Sequence, residues 1–152
     1  MSLHTLLVDT KEEKISSEKA KKFILSEENG AESIFIGRVR NENSGKKVKA
    51  VTYDAHDKAV LKSFKTICDD AKSKFDKNAK VFLEHAKGYV PVGEISILIA
   101  VSSGHRDEAF KICRYILEEI KHKSPIWKKE HYVDGKEEWL PGHSLRPKEE
   151  VK

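Results

Sequence analysis

The stretch 94–102, Glu-Ile-Ser-Ile-Leu-Ile-Ala-Val-Ser, limits this chain more than any other. Its near-continuous apolar run is that of a strand at a central position in a sheet. A helix is expected directly after it, with Ser103 as N-cap, Asp107 and Glu108 in the first turn, and Lys121 and Lys123 at the end. Those charges match the helix dipole at both termini. Ala109, Phe110, Cys113, Ile116, Leu117 and Ile120 form the expected buried stripe.

The other elements follow from the same periodicities. Strands are expected at 3–8, 33–39, 48–53 and 80–85, with a turn at Pro91 and Gly93. A helix capped by Ser16 or Ser17 runs through Ala20, Phe23, Ile24 and Leu25 to a stop at Asn29-Gly30. Val60, Leu61, Phe64, Ile67, Cys68, Ala71 and Phe75 repeat at helical spacing. Residues 41–45 read as a loop, and 127–132 with 137–139 as a hairpin around Asp134-Gly135. The order βαββαββαββ predicts one α+β domain over 1–140, followed by a polar tail at 141–152.

Composition removes some functions and leaves others open. A net charge of +4, with 36% charged residues, permits an anionic ligand without requiring one. Cys68 and Cys113 sit among apolar residues, as reduced core thiols do, and no CxxC pair occurs. The histidines lack ligand spacing such as HxxxH, so no metal is expected. No apolar run is long enough for a membrane span and the start lacks a leader pattern, which predicts the cytoplasm.

Three basic clusters remain. Arg38 and Arg40, two apart on a strand, should share a side. His105 and Arg106 open a helix, where free N–H groups favour phosphate. Lys121, Lys128 and Lys129 surround Pro125, which ends that helix. Arginine offers a planar fork to an anion, while lysine can have its pKa lowered enough to move protons. His105 and Lys121 are separated by sixteen residues of one helix, roughly 24 Å. A small ligand reaches both only if two copies share the site.

Four segments carry a resemblance: Phe35-Ile36-Gly37-Arg38-Val39-Arg40-Asn41, Val92-Gly93-Glu94, Val101-Ser102-Ser103-Gly104-His105-Arg106, and Pro125-Ile126-Trp127-Lys128-Lys129-Glu130. In order and spacing they resemble the catalytic, large subunit family of molybdopterin synthase. The resemblance implies an α/β-hammerhead fold with a mixed or antiparallel sheet, two main helices and a C-terminal hairpin. It implies a sulfurtransferase of molybdenum cofactor biosynthesis that converts cyclic pyranopterin monophosphate to the molybdopterin dithiolene. Sulfur would come from the C-terminal Gly-Gly thiocarboxylate of a small ubiquitin-like subunit. No separate cofactor is implied. The family's assembly is a homodimer of this chain with a small subunit at each outer end, a heterotetramer.

Carried onto this sequence, the resemblance makes Lys121 and Lys128 catalytic. It makes Arg38, Val39, Arg40, His105, Arg106, Lys121, Lys128, Lys129 and Glu130 substrate-binding. Phe35 and Leu117 are candidate pocket walls, with core packing as their alternative role. His105, Arg106 and His143 are candidates for reaching the neighbouring copy's site, His143 standing nearest to where the family supplies an arginine. Tyr53-Asp54-Ala55-His56-Asp57 departs from the family's usual acid and tyrosine. The alternative is a non-catalytic anion or nucleic-acid binding module, against which stand the modest charge and the lack of aromatics interleaved with the lysines.

Overall fold

A computed structural model describes residues 2–141. The eleven elements are β1 (Leu3–Asp9), α1 (Ser17–Ile24), β2 (Ala31–Arg38), β3 (Glu42–Asn43), β4 (Lys46–Ala55), α2 (Asp57–Phe75), β5 (Lys80–Pro91), β6 (Ile95–Ser103), α3 (Arg106–Lys123), β7 (Ile126–Tyr132) and β8 (Glu137–Trp139). The strands run in the order β2-β6-β5-β4-β7-β8, with β1 parallel to β5 and β3 antiparallel to β4. The fold is α+β with a mixed sheet, as expected. His143 lies outside the described residues.

β5 organises the sheet. Its first part pairs with β6 and β1, and Gly88–Pro91 pairs with β4 instead. The change of partner falls at Gly88, whose φ of +114° suits glycine alone, and a Cβ there would lie 2.4 Å from Thr10 Oγ1. The expected strand ended at residue 85, whereas β5 bends at Gly88 and continues to Pro91. One long strand therefore joins two sub-sheets.

Helices cover both faces of the first sub-sheet. Ser16 caps α1 by accepting the Lys19 N–H, and α1 covers Phe82, Glu84 and Ser102. Ser102 donates to the Ile24 carbonyl, and buried Glu84 meets His4 at 2.7 Å and Lys19 at 3.6 Å. The helix ends at Ile24 rather than reaching Asn29-Gly30, because Leu25 is extended and exposed. Asn29 instead bonds Ser102 from outside the helix.

The opposite face packs against α2, through Val60, Phe64, Ile67, Cys68 and Ala71, and α3, through Ala109, Ile112, Cys113, Ile116 and Ile120. Both cysteines are buried free thiols, and burial pushes Cys68 up to about 12. Phe110 departs from expectation: it is 64% exposed, with Ile112 taking the buried place. Ser103 also departs, ending β6 and donating to Asp76 while His105 stands at the N-cap. Its hydroxyl serves a tertiary contact, so it is not available to the helix.

Candidate functional site

Lys128 enters the interior because β7 pairs with β4 in a register that sets it opposite Tyr53. Strand alternation puts Ile126, Lys128, Glu130 and Tyr132 on the core side and Trp127, Lys129 and His131 on the other. Contacts agree with that parity. Tyr132 donates to Glu130 at 2.9 Å, whereas His131 bonds Thr52 and Lys129 lies over the Trp139 ring, 3.3 Å from Glu137. The adjacent lysines thus belong to different surfaces.

The return from α3 to β7 is short. Ser124 caps α3 through its N–H on the Ile120 carbonyl, and its buried hydroxyl bonds Ser63 at 2.9 Å. Pro125 follows and β7 begins at Ile126. Lys121, in the last turn of α3, and Lys128 therefore converge from either side of the turn. Burial holds the Lys128 ammonium below the usual lysine range; Glu130 opposes this, and the charges of Lys121 and Arg40 add to it. Arg40, Lys121, Lys128 and Glu130 form one electrostatic cluster.

Glu130 is 5% exposed and accepts from Asn43 and Tyr132, each at 2.9 Å. Burial and its bond to Glu130 push the Tyr132 phenol up. Behind Lys128, Tyr53 packs edge-on against His85, with ring centroids 5.0 Å apart. Burial raises the Tyr53 phenol, a bond with Ser96 opposes this, and Glu130 adds to it. His85 is 1% exposed and lowered to about 4, chiefly by burial, against its bond to the Ala86 carbonyl and with a further contribution from Lys128. It is neutral at physiological pH.

The other expected residues are distributed differently. β2 ends at Arg38 after an irregularity at Gly37/Arg38, and the two arginines line different hollows. Arg38 donates to the Gly93 carbonyl at 2.7 Å and lines a hollow of about 410 Å³ with Thr10, Lys14, Tyr89 and Glu94. Arg40 lines a separate one with Asn41, Glu42, Asn43 and Ser44. Val39 between them is buried and pinned by backbone bonds to Gly93 and Glu94.

His105 and Arg106 are exposed at the start of α3, the far end from Lys121. Within one chain His105 lines a hollow with Glu28, Asp76 and Glu108, away from the lysines. Phe35 and Leu117 are partly buried against the core. Among the described residues no three His, Cys, Asp or Glu side chains gather as a metal site. Sequence reasoning did not find His85. Its only signal was a titratable residue inside an otherwise core-forming strand.

The α+β fold sets Lys121 and Arg40 close enough to the mostly buried Lys128 for their charges to act on it, a grouping of cations suited to an anionic ligand. Residues 10–123 match the MoaE protein family. The molybdopterin synthase catalytic subunit of Synechococcus elongatus is 39% identical over 126 residues, which is 83% of this chain and 76% of that protein. The crystal structure of molybdopterin synthase from Staphylococcus aureus superposes with a TM-score of 0.81 at 31% identity, covering 93% of this chain and 98% of that one. A complex of subunits 1 and 2 of molybdopterin-converting factor from Helicobacter pylori shares the fold, with a TM-score of 0.72 at 22% identity over 95% of this chain and 93% of that one. This chain belongs to the MoaE family.

Proposed function

We propose that this chain is the sulfur-transferring subunit of a molybdopterin synthase. It takes sulfur from the C-terminal thiocarboxylate of a small ubiquitin-like partner and places it on cyclic pyranopterin monophosphate, building the dithiolene of molybdopterin. Family membership supports the reaction class. The observation that carries the assignment of roles is the Lys128 amine, held below its ordinary range between Tyr53 and Glu130 with Lys121 and Arg40 beside it.

The chemistry asks for what this cluster has. The thiocarboxylate sulfur bonds to a pterin side-chain carbon in place of an oxygen substituent. Water then adds to the acyl carbon and breaks its bond to sulfur, leaving the partner's C-terminus as a carboxylate and the sulfur on the pterin. Negative charge develops on oxygen in the tetrahedral intermediate of that hydrolysis. A fixed ammonium beside that oxygen lowers the barrier more than it stabilises the ground state. Lys121, nearer the mouth, receives the incoming tail, and Lys128, deeper, serves the pterin side and carries protons. Arg40 holds the anionic phosphate, and Glu130 keeps the Lys128 ammonium from losing its charge altogether.

His105 and Arg106 complete the phosphate site from a second copy, because α3 is too long for both of its ends to meet one ligand. His143 belongs to the same contribution. The working assembly is then a dimer of this chain with one small subunit per site. The test is incubation with cyclic pyranopterin monophosphate and thiocarboxylated small subunit, with detection of the dithiolene. Product is expected with the wild type, and Lys121→Ala and Lys128→Ala should each lower turnover by about a hundredfold or more while the dimer persists. No product under conditions where a known synthase works overturns the reading, as does full activity in a monomer.

A further inference from the structure

Behind the lysine cluster lies a buried group to which the proposed reaction assigns no task. The His85 Nδ1 lies 2.8 Å from the Ala86 carbonyl, which can only accept, so Nδ1 carries the hydrogen. That fixes the tautomer and leaves Nε2 as a lone pair. Nε2 is sealed from solvent and has no hydrogen-bond partner. A buried acceptor left unmatched costs about 1–3 kcal/mol, so its position calls for a donor.

The neighbourhood narrows the choice. The His85 ring stands edge-on to Tyr53, and Tyr53 is directly opposite Lys128 across the β4–β7 pair. On its other side Tyr53 pairs with Gly88, which has no side chain to intervene. Tyr53 meets His85 with the two rings edge to face, and its hydroxyl makes no bond to Nε2. Glu130 accepts and does not donate, and Arg40 lines a hollow at the β3 turn. The Lys128 ammonium carries three donors on a flexible stem and its charge is felt at His85.

We propose that His85 is a positioning residue for Lys128: when the ammonium turns inward on its flexible stem, the unmatched Nε2 lone pair accepts a hydrogen bond from it and keeps that amine charged. The groups facing Lys128 are then His85 from β5, Tyr53 from β4, Glu130 on its own strand, Lys121 from α3 and Arg40 beyond β2. Only Glu130 and His85 favour the ammonium. A neutral acceptor supports the cation without adding a second buried charge, so the amine remains able to release its proton.

The kinetic half of this inference rests on the sulfur-transfer reading, while the contact itself does not, so two experiments separate them. With ¹⁵N-labelled histidine in the full chain, the His85 Nε2 resonance should lie at a hydrogen-bonded imine position. It should move toward the free imine position in Lys128→Ala. A resonance identical in both proteins overturns the contact, whatever the enzyme does. In the synthase assay, His85→Gln keeps an acceptor near the Nε2 position and His85→Phe keeps only ring bulk. His85→Phe should lower kcat about tenfold, leave KM nearly unchanged, and shift the Lys128 limb of the pH profile downward; His85→Gln should retain most of the turnover. Equal losses in both variants with an unmoved pH profile would mean packing alone, and wild-type turnover in both would remove the role.

Discussion

Burying a neutral histidine ties the stability of this fold to pH in a defined window. His85 titrates near 4 in the folded chain, against about 6.5 when unfolded. The folded value is the lower one, so between the two the unfolded chain binds a proton that the folded chain does not. The stabilisation is complete above pH 6.5 and declines as pH falls toward 4. Each pH unit in the window costs about 1.4 kcal/mol, so the whole passage removes about 3 kcal/mol, a large share of the 5–15 kcal/mol typical of a domain. Depressed carboxylates such as Glu137, held down by His131 and Lys129, lose their contribution only below the usual carboxylate range. They therefore fall outside most of the window.

Urea unfolding of wild type and His85→Gln at pH 7.5, 6 and 4.5 isolates this contribution, since every other titrating group is common to both chains. Gln loses the ring contact with Tyr53 and should be less stable at pH 7.5. Having no charge to gain, it should lose about 2.5 kcal/mol less than wild type on going to pH 4.5. Parallel curves across that range would refute the reasoning, because His85 would then titrate alike in both states.

Three further outcomes follow from the geometry. Lys129→Ala should change turnover by less than about threefold, in contrast to Lys128→Ala, because its side chain lies on the opposite face beside Glu137 and Trp139; steady-state assays of the pair check this. Gly37→Ala would place a Cβ 2.6 Å from Ile97 Cγ2 and 3.3 Å from Phe35, and should cost about 1–3 kcal/mol of stability through overpacking, read from the thermal midpoint. Glu130→Gln removes the buried charged acceptor of Asn43 and Tyr132. It should cost about 1–3 kcal/mol in urea unfolding and move the Lys128 limb of the pH profile downward.

Much of this was legible in the chain because periodicity reports burial. The run 94–102 became the central β6, and the α2 stripe was read correctly except that Leu61 reaches the surface. What failed depended on tertiary choice. Ser103 had the chemistry of an N-cap, but Asp76 captured its hydroxyl. The expected strand 80–85 fell short because no local periodicity reports that a positive φ at Gly88 lets β5 bend and continue. The two arginines stand two apart on the expected strand, yet they line different hollows once β2 has ended. The parity of Lys128 and Lys129 could have been read from the expected strand 127–132. The meeting of His85, Tyr53 and Lys128 could not, since it depends on the pairing of strands far apart in sequence.

That meeting also explains why the pocket lies where it does. A lysine sheds its proton readily only when taken out of water, and a surface loop cannot do that. Here Lys121 stands in the last turn of α3, and a one-proline turn leads into β7, where strand parity sends Lys128 toward Tyr53 and Glu130 and Lys129 toward Glu137 and Trp139. Burying the amine is unfavourable, and the same parity supplies the remedy by placing Glu130 two residues further along the same face. Asn43 and Tyr132 hold that carboxylate in turn. The strand that creates the perturbed amine thus carries its own counterion, so an insertion of one residue between Pro125 and Lys128 would turn both outward together and remove the cluster while leaving β6 and α3 in place.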